Sequence, residues 1–294
     1  MVGMTRLAAV AGQFYPGTAT QLTHQLKECF LDARGCGQIP SLGSPTKHVK
    51  GVIVPHAGYI YSGAIASHSY CAIAEDGFAD TFLILGPNHT GSGSGVAVMT
   101  EGSWQTPLGN IPINSELALA LHTGIIDADQ TAHLYEHSIE VQLPFLQFLA
   151  NNRSFDFVPL CMMMQDLQTA QEVGMILVQA IKHSKKKVVI IASTDFSHAG
   201  FNYRSMPPEG MRVDEYAKTQ DHFALDKIVN LDPAGLINTV EEKQITMCGY
   251  GPVASMLVAA QALGATKAEL LKYGTSYEVQ PSTSCVGYGS LVVY

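Results

Sequence analysis

Three apolar runs in this chain end in ionisable side chains. "VIVPHAG" delivers His56, "FLILGPNH" delivers His89, and "VVIIASTDFSH" delivers Asp195 and His198. Imidazole is the commonest protein ligand for zinc, iron and copper, so two histidines at neighbouring strand ends supply half of a metal site. Pro55 and the Gly86-Pro87 pair stop their strands and fix where each histidine turns out. A single histidine of this kind is more often a capping or core residue than a ligand. Three copies of one pattern favour a site.

A third ligand is offered by Cys248 in "QITMCGYGPV", ahead of Pro252 and an apolar helical run. A helix N-terminus there would lower the thiol pKa and favour thiolate. The alternative is a small buried hydrophobe, as most free cysteines are, and the residues alone favour it. In "HLYEHSIEVQLPF", Glu136, His137 and Glu140 stand at the start of a helix, with the two carboxylates one turn apart. They form either a charged first turn that complements the helix dipole, with His137 solvated, or a support that orients a metal-bound histidine. "GSGSG", residues 91 to 95, lacks both the Lys-Ser/Thr and the GxGxxG spacing of a phosphate loop and reads as a turn after His89. Met162–Met164 read as core filling that continues a strand, and Lys185–Lys187 as the solvated entry to the next one. His24, His122, His183 and His222 fall within helical patterns as surface or partly buried residues.

Apolar runs rich in valine and isoleucine alternate with segments of helical spacing, the pattern of an α/β domain. "GVIVP", "TFLILGP", "FDFVPLC", "KVVIIAS" and "SCVGYGSLVVY" read as strands. Helices are expected over about 63–75, 115–123, 138–151, 168–183, 214–230 and 253–263. The fold expected is one α/β domain over residues 1–294, with a mixed, mostly parallel central sheet covered by helices on both faces and a site at the strand C-terminal ends. The low-propensity stretch "GCGQIPSLGSPT", residues 35–46, comes too early to divide domains.

The formal charge of -8 argues against nucleic acid and anionic membranes as partners and leaves small molecules or proteins. No apolar run reaches the roughly 18 residues of a spanning helix. Cys29, Cys36, Cys71, Cys161, Cys248 and Cys285 lack CxxC spacing, and no signal peptide is evident. A reduced cytoplasmic setting without a disulfide framework is therefore expected.

"VPHAGYIYSG", "LGPNH", "EHSIEVQLPF", "STDFSHAG" and "MCGYGPV", in this order, resemble the Memo family over nearly the whole chain. That family is also labelled AmmeMemoRadiSam system protein B and resembles in fold the LigB-type class III extradiol dioxygenases. The resemblance implies His56 and His89 as metal-site histidines and Cys248 as the cysteine ligand, reversing the reading from the residues alone. It implies His198 as acid/base with Asp195 beside it, and Tyr59 and Tyr61 lining the cleft. Iron or copper is the implied metal, ahead of zinc, and AMMECR-type and radical-SAM proteins are implied partners. A cysteine stands where a dioxygenase supplies a carboxylate, so ring cleavage is not inherited with the fold. The expectations are a metal-dependent oxidoreductase acting on a small molecule, a non-catalytic module that binds a peptide or a redox metal, or a zinc hydrolase.

Overall fold

The computed structural model describes residues 4–151 and 153–294. Four parallel strands form the middle of the main sheet, in the order Gly51–Val54, Val188–Ser193, Thr81–Pro87, Asp156–Met162. They are almost wholly buried, which is why each reads as an unbroken apolar run rather than an alternating one. The long strand Ser284–Val293 pairs antiparallel with Gly51–Val54 and carries Ala268–Thr275 and His198–Gly200 antiparallel beside it. At the other edge, Val96–Val98 runs antiparallel to Asp156–Met162, and Asp127–Ala128 follows. The sheet is therefore mixed, as expected. A separate small sheet joins Thr5–Arg6 to the hairpin Ser103–Thr106 and Gly109–Pro112.

Helices Ala19–Leu31, Tyr59–Glu75 and Leu143–Ala150 pack together on one face, while Leu167–His183 and Tyr250–Ala262 cover the other with Pro233–Lys243 against them. Thr18, Asp166 and Asp232 start three of these helices by accepting backbone N–H groups of Gln21, Thr169 and Gly235. Two of the three, Ala19–Leu31 and Pro233–Lys243, were not expected from the sequence. The first buries Leu22, Leu26, Cys29 and Phe30, a helical spacing behind a threonine cap that was there to be read. Asp76 ties the irregular stretch before the first core strand to this body by accepting the N–H groups of Thr46, Lys47, His48 and Val49.

Several expectations change. The helix expected at 138–151 begins as a 3-10 turn over Glu140–Gln142 and becomes α-helical only at Leu143, because Pro144 belongs in a first turn. The helix expected from residue 63 begins at Tyr59. Met162 is buried, but Met163 and Met164 lie beyond the strand and are exposed. Lys187 is not a solvated residue, since its Nζ donates to the carbonyls of Asp76 and Gly77. Cys36 and Cys71 form one disulfide that fastens the loop after the first helix to Tyr59–Glu75, and the other four cysteines are free. Among the described residues no helix is long and apolar enough to cross a membrane.

Register builds the site. Val54 pairs with Ser193, and Leu85 with Ala192, so three strand ends finish level. The residues that follow them, His56, His89 and Asp195, are thereby delivered to one place.

Candidate metal centre

His56 is buried at its strand end. Its backbone N–H donates to the Asp195 carboxylate at 2.8 Å, and its Nδ1 lies 2.9 Å from the Ser193 hydroxyl. That hydroxyl donates to the Ser138 carbonyl at 2.7 Å and accepts from Gln142 Nε2 at 3.0 Å. With its one proton committed, Ser193 can only accept from His56, so Nδ1 carries the ring proton. Nε2 is left with a free lone pair, 3.1 Å from Cys248 Sγ. Tyr70 fixes the relay from behind, donating to Gln142 Oε1 at 2.6 Å.

His89 is set by the same logic. Its Nδ1 lies 3.0 Å from Glu136 Oε1, and its backbone N–H donates to Oε2 at 2.6 Å. Glu136 also accepts the N–H groups of His137 and Ser138. Burial raises the Glu136 pKa, but the hydrogen bond from His89, and the charges that His89 and His137 carry when they are themselves protonated in acid, outweigh it and bring it to about 2. The group stays ionised and holds the Nδ1 proton of His89, which leaves Nε2 with a free lone pair.

Cys248 reaches the strand ends from the loop before Tyr250–Ala262. A side chain at Gly249 would sit 2.6 Å from the Ser193 carbonyl oxygen, so only glycine lets the loop come this close. Cys248 Sγ accepts the Asp195 N–H at 3.3 Å, and Gln165 Nε2 holds the Cys248 carbonyl at 2.9 Å. Burial and then the Asp195 charge push the thiol pKa up, contrary to the thiolate expected at a helix N-terminus. A metal binding here has to displace the thiol proton.

The ligand atoms of His56, His89 and Cys248 lie within 4.8 Å of one another. Around a four-coordinate ion with metal–nitrogen bonds of about 2.0 Å and metal–sulfur bonds of about 2.3 Å, donors stand roughly 3.5 Å apart. The observed spacing admits such an ion with small side-chain movements. Two neutral imidazoles with free Nε2 lone pairs and one sulfur fit the group.

His198 lies outside that donor trio and lines the same cleft. Its Nδ1 faces the carbonyls of Phe196 and Thr246 at 3.0 and 3.1 Å, so it carries the proton and Nε2 remains for the cleft. Asp221 steadies the preceding turn by accepting the Ser197 N–H and the Tyr273 hydroxyl. Asp195 makes its carboxylate hydrogen bond to His56 rather than to His198, and burial raises its pKa.

His137 is a wall of the cleft rather than a solvated neighbour. Its ring stacks on His89 with centroids 4.7 Å apart, meets His56 edge-on and packs on Phe14. Burial lowers its pKa to about 4, against the raising effect of Glu136. His89, Glu136 and His137 form a second close group of possible donors, but Glu136 is already occupied by four N–H groups.

Two expected cleft residues lie elsewhere. Tyr59 is buried against Phe145 and donates to the Val141 carbonyl, while Tyr61 lines the cleft and donates to Gln280 Oε1 at 3.0 Å. Glu140 is fully buried away from the cleft, where it pairs with Arg6 and accepts from the Ala9 and Val10 N–H groups and the Tyr15 hydroxyl. It anchors the segment that carries Phe14 to the site. Ser193, Gln142, Tyr70, Phe14 and Arg6 were missed from the sequence. Ser193 and Gln142 stand inside motifs already singled out, but only the fold shows what they touch.

A family model described as Memo-like protein matches residues 6–292. The chain belongs to the Memo family. A MEMO1 family protein of Methanopyrus kandleri is 46% identical over 292 residues, covering 98% of this chain and 99% of the relative. MEMO1 family proteins of Thermococcus onnurineus and Methanothermobacter thermautotrophicus are 46% and 44% identical, with 98% of this chain covered by each and 99% and 100% of the relatives. The crystal structure of an uncharacterized protein from Escherichia coli K12 superposes with a TM-score of 0.52 at 13% identity, over 83% of this chain and 99% of that one. That likeness is one of fold alone and is compatible with the LigB-like architecture implied by the Memo motifs.

Proposed function

We propose that this Memo-family protein holds one redox-active metal, iron or copper, at His56, His89 and Cys248, and performs oxidoreductase chemistry on a small molecule in the adjoining cleft. The observation that carries the reading is the proton accounting: Ser193 and Glu136 each hold an Nδ1 proton, leaving the Nε2 lone pairs of His56 and His89 free, that of His56 3.1 Å from Cys248 Sγ, in residues whose donor atoms group within 4.8 Å. One sulfur with two imidazoles is a ligand set that suits iron and copper. The metal, when bound, would supply Lewis acidity and a one-electron couple at a position open to the cleft.

The chain's own residues do the rest. His198 Nε2 accepts a proton from a ligand in the cleft, because its Nδ1 is already committed as a donor. Phe14, His137 and Tyr61 wall the cleft. A non-catalytic metal-holding role would leave the fixed tautomer of His198 without a use, and for that reason the catalytic reading is preferred. A catalytic zinc site can share this donor set and is the reading to separate by metal analysis. The setting proposed is the cytoplasm, and AMMECR-type and radical-SAM proteins are the partners proposed for co-purification.

The test is anaerobic loading with Fe(II) or Cu(I), followed by oxygen consumption with a panel of catechols and small thiols. The account expects one ion per chain and substrate-dependent oxygen uptake that falls in His198→Ala. Zinc alone bound, with no uptake for any compound, contradicts it.

A further inference from the structure

The cleft beside His56, His89 and Cys248 has a volume of about 480 Å³, room for on the order of 16 water molecules at about 30 Å³ each. Among the described residues that line it, Asp195 is the only carboxylate, and there is neither lysine nor arginine. Its outer half is built from neutral hydrogen-bonding groups: Tyr61, Asn202, Ser276, Gln280, Ser282 and Ser284. Several of these are ordered by one another. Gln280 Oε1 accepts the Tyr61 hydroxyl, which leaves the carboxamide N–H groups of Gln280 to donate, and Ser284 Oγ accepts the Asn202 backbone N–H. Phe14, Tyr203 and Tyr288 add aromatic surface.

We propose that this cleft selects a small, uncharged, polyhydroxylated ligand of the polyol or monosaccharide class, seated with its hydroxyls on the serine and amide side chains and one edge toward the metal position; the orientation rests on the metal site proposed above. Hydroxyl groups both donate and accept, which matches a lining of mixed donors and acceptors. Aromatic faces suit the apolar C–H faces of such a ring. A phosphate or carboxylate on the outer part of the ligand, away from the metal position, would find neither lysine nor arginine among the described lining residues to pair with. The chain excludes anions here by omission of charge rather than by bulk.

Calorimetry on Co(II)-loaded and on metal-free protein tests this with D-ribose, D-glucose and myo-inositol against D-ribose 5-phosphate, D-glucose 6-phosphate and D-gluconate. At least one neutral compound is expected to bind saturably, with its charged counterpart weaker by about tenfold or more. Gln280→Ala is expected to weaken the neutral compound several-fold, and Gln280→Lys to narrow or reverse the discrimination. Failure of every neutral compound to bind, or binding of the charged partners with equal or higher affinity, overturns the proposal. The metal reading is scored separately by the thiolate-to-Co(II) absorption band and its loss in Cys248→Ser. Neutral ligands bound without that band would leave the ligand class standing and remove the metal.

Discussion

His56 Nδ1 lies 2.9 Å from a Ser193 hydroxyl that is already donating to the Ser138 carbonyl. This relationship fixes the tautomer of His56 and turns a free Nε2 lone pair toward Cys248. A histidine without it could expose either nitrogen, and the donor trio would have to select the right form from a mixture.

Ser193→Ala therefore lowers metal affinity by about 10- to 100-fold, the usual effect of removing a residue that orients a ligand histidine. Competition with a chromophoric chelator reads the change. An affinity equal to wild type would show that the Ser193 hydrogen bond does not matter to the site.

Glu136→Gln is expected to weaken metal binding and also to change acid stability. The folded-state pKa of about 2 lies below the ordinary value of 4.5, so the stabilisation is fully present above pH 4.5 and disappears as pH falls toward 2. A shift of this size corresponds to about 3 kcal/mol. Urea unfolding of metal-free protein should show wild type well above Glu136→Gln at pH 6, with the gap narrowing below pH 4.5. A gap that is constant between pH 6 and pH 3 would place the ionised carboxylate outside the stability of the site.

The convergence of His56 and His89 was legible because each follows an unbroken apolar run, a pattern that survives without coordinates, whereas Cys248 read from the residues alone as a buried hydrophobe and joined them only through the resemblance to the Memo family. Glu140 was misplaced although "EVQLPF" held the correction, since Pro144 marks the first α-helical turn and puts Glu140 ahead of it. The Tyr59 and Tyr61 side chains diverge by about 200° around their helix, and which one meets the cleft depends on how the helix sits on the sheet. The acidity of Cys248 could not be read either. A helix N-terminus lowers a thiol pKa by a modest amount, and burial, set only by tertiary packing, outweighs it here.

Arg6→Met leaves Glu140 buried without its ionic partner and removes the donors to the His133 and Glu136 carbonyls. A loss of about 3–5 kcal/mol in unfolding free energy is expected, as for other broken buried pairs. At a temperature where the variant remains folded, metal stoichiometry should be unchanged. Normal stability, or loss of the metal from folded protein, would contradict the assignment of this pair to anchoring the N-terminal segment.

His198→Ala should keep metal affinity within a few-fold and lower any turnover by about 10²–10⁴, the contribution of a positioned acid/base. Loss of the ion in this variant would make His198 a ligand. Retained turnover would remove its role in proton transfer.

The most direct test of the metal centre is X-ray absorption at the metal edge of the loaded protein, wild type beside Cys248→Ser and His56→Ala. The account predicts one sulfur at about 2.3 Å with imidazole nitrogens at about 2.0–2.1 Å, the sulfur shell disappearing in Cys248→Ser and the imidazole scattering diminished in His56→Ala. A wild-type shell without sulfur, or spectra unchanged in both variants, would contradict it.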